Sequence, residues 1–109
     1  MAKGALLGEL ELYVMLALAQ LGADAYGVGI RQEIERRTSR DVTIGAVYAT
    51  LARLEGKGHV RFTLSETQPV QGGRARKIFR LTPAGARALA HSTSMLARMM
   101  HGWHPRESQ

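Results

Sequence analysis

The sequence predicts a mainly α fold with one small β-hairpin, and three observations carry that prediction. Apolar residues recur at helical spacing in four separate stretches. One stretch, "HVRFTLSE", alternates instead, and breaks marked by glycine or proline separate the segments. The order is helix, helix, helix, strand, strand, helix. A chain of 109 residues suits one domain with a modest core and is short for an enzyme with its own pocket.

The first helix is expected over residues 10–21, with Leu12, Leu16 and Ala19 on one side and Val14, Leu18 and Leu21 close by. It is apolar nearly all round, which calls for burial on two sides, for instance against the core and against another subunit. Neither a signal peptide nor a membrane span is expected there. Glu9 and Glu11 interrupt the run, only Lys3 precedes it, and no cleavage pattern follows. It also falls short of the roughly 18 uninterrupted apolar residues of a span. Gly22 ends the helix.

A second helix is expected over residues 26–37, with Tyr26, Ile30 and Ile34 inward and Val28 alongside. Arg31, Gln32, Glu35 and Arg36 take the opposite, polar face, while Gly27 and Gly29 weaken the first turn. "TSRDVT" then reads as a turn with a very short strand at residues 41–43. Thr43 is a good N-cap for a third helix over 44–55, whose buried stripe is Val47, Leu51 and Leu54, with Ile44 at its start. Gly56 and Gly58 supply the conformations a helix end needs.

Beyond the third helix Val60, Phe62 and Leu64 alternate with Arg61, Thr63 and Ser65, as in a half-buried strand. "TQPVQGGRA" is turn-forming, and "RKIFRL" is the returning strand. "LTPAG" opens the last helix, with Thr82 as N-cap and Pro83 in first position; the helix is expected to run over 83–102.

The third helix is unusually bare. Gly45, Ala46 and Ala49 lie between its apolar positions, with Tyr48 and Arg53 beside them. A helix entering a major groove about 12 Å wide must bring its backbone close to base edges and phosphates, and small residues permit that. Thr43 and Thr50 offer hydroxyls, Tyr48 can reach a phosphate, and Arg53 a phosphate or a guanine. The hairpin continues the theme. The net charge is +6, and no acidic residue falls between Glu66 and Glu107. Arg74, Arg76 and Lys77 follow Gly72 and Gly73 and would meet the minor groove or flanking phosphates. Two helices on a short connection, the second smooth and followed by a basic hairpin, make the winged variant of helix-turn-helix. Double-stranded DNA is the partner expected.

The last helix carries a seam of Gly85, Leu89, Ser92, Leu96, Met99 and Trp103, spaced 4-3-4-3-4. At about 30 Å for 20 residues it is long for packing only on its own chain, so a homodimer is expected, with Leu89, Ser92, Leu96, Met99 and Trp103 at the interface. Two recognition helices related by a two-fold axis would then read an inverted repeat, about 34 Å apart. Met95, Met99, Met100 and Trp103 could line a pocket between subunits for a small, flat apolar effector; packing within the dimer is the preferred reading. The expected organisation is a winged-helix DNA-binding domain over 1–82, a dimerisation helix over 83–103 and a flexible tail over 104–109.

Other chemistry is weakly signalled. There is no cysteine, hence no disulfide framework and no thiolate zinc site, which suits a reducing, cytoplasmic setting. His101 and His104 are three apart but lack further ligands, so no metal or cofactor is expected. Asp41, His59 and Ser65 do not have the spacing of a triad, and no catalytic residue is expected.

The stretches "AYGVGIRQEIERRT", "TIGAVYATLARLEGKGHV" and "GGRARKIFRLTPAG", with the helix after them, resemble the PadR family of transcriptional regulators. The resemblance covers residues 10–89 and implies a homodimeric DNA-binding repressor without catalytic activity. The helix at 44–55 would read the major groove, the loop at 68–76 would be the wing, and the C-terminal helix would make the dimer. Many members carry His-Gly-Tyr where this chain has Tyr26, Gly27 and Val28, and a proline near Thr43 and Ile44. The rival class is a winged-helix protein–protein adaptor without specific DNA binding, which the one-signed charge distribution disfavours.

Overall fold

A computed structural model describes residues 7–65 and 76–106 of the chain. Its elements follow the expected order: α1 (Glu9–Leu21), a 3₁₀ turn (Gly22–Asp24), α2 (Gly27–Thr38), α3 (Ile44–Gly56), β1 (Val60–Leu64), β2 (Lys77–Leu81) and α4 (Pro83–Met100). No strand forms at 41–43, where the backbone is an unpaired connection between α2 and α3. Val42 is buried there, and its carbonyl accepts a hydrogen bond from Arg31 Nη1 at 3.4 Å, so side-chain contacts rather than pairing hold the turn.

Local chemistry accounts for the helix starts. Thr43 caps α3 by accepting from the Ala46 N–H at 3.0 Å, and Thr82 caps α4 by accepting from the Gly85 N–H at 2.9 Å. Pro83 occupies the first turn of α4, where its missing N–H costs nothing. α4 ends at Met100, two residues short of expectation: His101 leaves helical geometry at ψ 125°, and Gly102 follows left-handed at φ 87°. Trp103 therefore lies past the helix rather than on it.

The core gathers Val14, Met15 and Leu18 of α1, Ile30 and Ile34 of α2, and Val47, Leu51 and Leu54 of α3. Val60 and Phe79 from the hairpin and Leu89 from α4 complete it. Val28 does not join Ile30 and Ile34 but is exposed, one position off their stripe. In the antiparallel hairpin Val60 faces Leu81 and Phe62 faces Phe79. That register puts Phe79 in the core, with the Phe62 ring tilted against it at 6.1 Å.

The start of α4 is fastened to the turn between α3 and β1. Thr82 Oγ1 donates to the Gly58 carbonyl at 2.6 Å, and the Thr82 N–H donates to the His59 carbonyl at 3.0 Å. Gly85 sits against that same His59 backbone, so that a Cβ there would overlap the carbonyl oxygen. This corrects the expected seam in its first two turns. Gly85 and Leu89 are occupied within the chain, while Leu96, Met99, Met100 and Trp103 remain exposed.

Candidate nucleic-acid interface

α3 separates into two faces. Val47, Leu51 and Leu54 are buried, and Gly45, Tyr48, Ala49, Ala52 and Arg53 look outward. Ala46 lies at the edge, half-buried against the core. Thr50 is a correction: it is fully buried, its hydroxyl donating to the Ala46 carbonyl at 2.8 Å, so it offers nothing to a groove. Thr50 and Ala49 are neighbours in sequence, yet one helical step of about 100° sends them to opposite environments. Beside Tyr48 and Arg53 the outward strip is Gly45, Ala49 and Ala52, through which the backbone itself is accessible.

What holds this helix was not expected from the sequence. Gly27 is buried, and a Cβ there would land on Cζ and Oη of Tyr48. The tyrosine ring therefore lies across the first turn of α2, which braces one side chain of the outward face. The signal was visible as a glycine in a helix, but only a neighbour in space gives it a reason.

Glu11 was missed as well. This carboxylate is buried on the core side of α1, where it receives Lys57 Nζ at 2.8 Å and the Gly8 N–H at 3.0 Å, with Arg53 Nε at 3.9 Å. Burial pushes its pKa up, but the Lys57 and Gly8 hydrogen bonds and the charges of Lys57 and Arg53 outweigh that, and it settles below the usual carboxylate range. Arg53 also donates to Thr50 Oγ1 at 3.2 Å, so its guanidinium turns back toward Glu11 while its side chain stays mostly exposed. An acidic residue on the buried stripe of an apolar helix was the clue.

On α2, Glu33 lies between Arg37 and Arg36, whose hydrogen bonds hold its carboxyl below the usual range. Those two arginines are thus part of an internal charge pairing.

The hairpin brings the basic groups together. Arg61 and Arg80 stand directly opposite each other on its outward face, both exposed. Like charges placed so are destabilising, and among the described residues neither has a carboxylate within salt-bridge distance. Arg61 was not among the expected contacts. Lys77 Nζ rests over the Phe62 ring at 4.2 Å, and the Arg76 guanidinium rests over the Tyr26 ring at 5.1 Å. Arg74, Gly72 and Gly73 lie outside the described residues.

The seam residues of α4 divide. Leu89 belongs to the core, and Ser92 is half-buried, its Oγ without a hydrogen-bond partner among the described residues. Leu96, Met99 and Trp103 are 50%, 80% and 60% exposed, an apolar surface that the described residues do not cover. Leu7 and Leu12 of the N-terminal side line a shallow groove with Ser92, Met95, Leu96 and Met99. Among the described residues, no helix is long and apolar enough to cross a membrane.

Three helices, a capped and smooth third one, and a basic hairpin returning to a fourth helix define a winged helix-turn-helix protein. The model of the transcriptional regulator PadR-like family matches residues 15–91, and the chain belongs to that family. It is 38% identical over 76 residues to the transcriptional regulator Rv3488 of Mycobacterium tuberculosis; the match takes in 70% of this chain and 66%, just under two thirds, of that relative. Its fold is similar to that of a PadR-like transcription factor from Bacteroides fragilis, with a TM-score of 0.70, 25% identity and 84% of each chain covered. A PadR-like transcriptional regulator from Bacillus cereus superposes with a TM-score of 0.71 at 21% identity, over 93% of this chain and 89% of that one.

Proposed function

We propose that the chain is a homodimeric, sequence-specific DNA-binding repressor that acts in the cytoplasm by occupying an inverted-repeat operator near a promoter. The observation that carries this is the outward face of α3. Its inner face is completely buried, yet Gly45, Ala49 and Ala52 leave its outer backbone open beside Tyr48 and Arg53. A helix exposed only to water gains solubility from long polar side chains; one pressed against a groove needs their absence. Thr43, Gly45, Ala46, Tyr48, Ala49 and Arg53 would meet the major groove. Arg76 and Lys77, joined by Arg61 and Arg80, would give the wing its phosphate contacts.

Pairing through the outer half of α4 and the residues just past it supports the same reading, since Leu96, Met99 and Trp103 need cover. Two such units about a two-fold axis present their α3 helices to successive major grooves, which calls for half-sites about 34 Å apart. A flat apolar effector at that junction is an extension of this proposal, resting on the same exposed methionines and Trp103.

The test is selection of bound fragments from a genomic DNA library at near-physiological salt. Enrichment of an inverted repeat with half-sites one helical turn apart is the expected result. Uniform binding that disappears as salt rises would instead indicate a non-specific basic surface and favour a protein–protein adaptor.

A further inference from the structure

The outer end of the hairpin is a lever. From Val60 to Ser65 the chain extends about 17 Å at ~3.4 Å per residue, so a swing of only ~10° would displace the outer end of the hairpin by about 3 Å. A two-stranded ribbon does not hold its own angle against a domain; contacts to the body must do so. Val60, Phe79 and Leu81 anchor the inner end, whereas Leu64, at the outer end, is 63% exposed.

Two contacts tie β2 and its outer end to the residues just before α2. The Phe79 N–H donates to the Ala25 carbonyl at 3.0 Å, and the Arg76 guanidinium lies over the Tyr26 ring at 5.1 Å. Arg76 is itself fixed to β1, its N–H donating to Ser65 Oγ at 2.9 Å and its carbonyl accepting from the Ser65 N–H at 2.8 Å. The contact on Tyr26 therefore acts on both strands. The next residue, Gly27, is the seat of the Tyr48 ring. One dipeptide thus meets the wing with its first residue and the outward face of α3 with its second.

We propose that Tyr26 is a positioning residue for DNA recognition: its ring holds Arg76, and with it the outer end of the hairpin, at a set distance from Tyr48 on α3. Tyr26 need not touch DNA. It makes the helix and the wing engage a half-site as one body, so its loss lowers the preference for operator over random sequence. This rests on the DNA-binding reading above.

The experiment compares Tyr26→Leu, Tyr26→Phe, Arg76→Gln and the double variant Tyr26→Leu/Arg76→Gln. Affinity is measured across a salt series for the selected operator duplex and for a random duplex of equal length. Tyr26→Leu should lower operator affinity about three- to fivefold, the scale of an exposed cation–π contact, and leave the salt slope unchanged because no charge is lost. Tyr26→Phe, which keeps the ring, should bind as the unaltered protein does. In the Arg76→Gln background, Tyr26→Leu should add nothing. Side-chain NMR of Arg76 supplies a readout without DNA: an upfield ring-current shift retained in Tyr26→Phe and lost in Tyr26→Leu.

An equal loss from Tyr26→Leu in both backgrounds would mean that Tyr26 acts only through packing, and would overturn the proposal. An operator preference left unchanged by Tyr26→Leu would overturn it alone. An unaltered protein that binds every duplex alike would overturn the DNA-binding reading, and this inference with it.

Discussion

The ring of Tyr48 lies on the backbone of Gly27, in the space that any side chain at position 27 would occupy. Gly27 is buried and has no cap to make, so its smallness serves this contact. Gly27→Ala should destabilise the fold by about 1–3 kcal/mol, the usual cost of forcing a methyl into a packed site. In a Tyr48→Ala background the same change should be neutral or slightly stabilising, since alanine is the better helix former. Urea unfolding of the four proteins measures this coupling, and simple additivity would show that the two residues do not interact.

Glu11 makes stability depend on acid. Its carboxyl is held below the ordinary range in the folded chain, so its contribution is fully present above the unfolded value of about 4.3 and is lost as pH falls through the lower, folded value. Glu11→Gln should therefore be less stable at neutral pH, by about 1–3 kcal/mol, the scale of hydrogen bonds to a charged group. The gap to the unaltered protein should close in acid, and unfolding curves collected across that range would reveal a constant gap if the ion pair were irrelevant.

Residues of one seam on α4 should behave in two ways. Leu89 is part of the core, and Leu89→Ala should cost about 2–5 kcal/mol at any protein concentration. Met99 is 80% exposed, so Met99→Lys should leave the monomer fold intact and shift sedimentation toward monomer. Sedimentation of Met99→Lys indistinguishable from that of the unaltered protein would remove the outer half of α4 from the dimer proposal.

On α3, Ala49→Glu should preserve folding, because position 49 faces outward from a helix whose inner face is buried. It should nevertheless lower operator affinity by about 100-fold or more, since it sets a carboxylate and its bulk against the DNA. Circular dichroism and operator binding on the same sample separate these effects.

Arg61 and Arg80 face each other without an acidic partner among the described residues. If each meets a phosphate, Arg61→Gln and Arg80→Gln should each flatten the salt slope by about one unit and weaken binding to all sequences alike. Relief of their mutual repulsion should leave stability unchanged or slightly raised, which thermal unfolding would register.

The elements were legible from local chain chemistry. Periods of 3.6 and 2, the caps at Thr43 and Thr82, Pro83 and the glycine stops are local, and they placed α1, α3 and both strands to within a residue or two. The sequence also showed that α3 has a bare face. What covers each face was decided only in three dimensions. Thr50 turned inward beside outward Ala49, Gly85 and Leu89 were taken up by the chain itself while Met99 was left open, and Arg53 was drawn toward Glu11. Gly27 and Tyr48 are 21 positions apart, and Tyr26 and Arg76 are 50. Periodicity reports how a segment divides between apolar and polar sides, whereas burial, ion pairing and the need for a glycine depend on which other segment arrives against it.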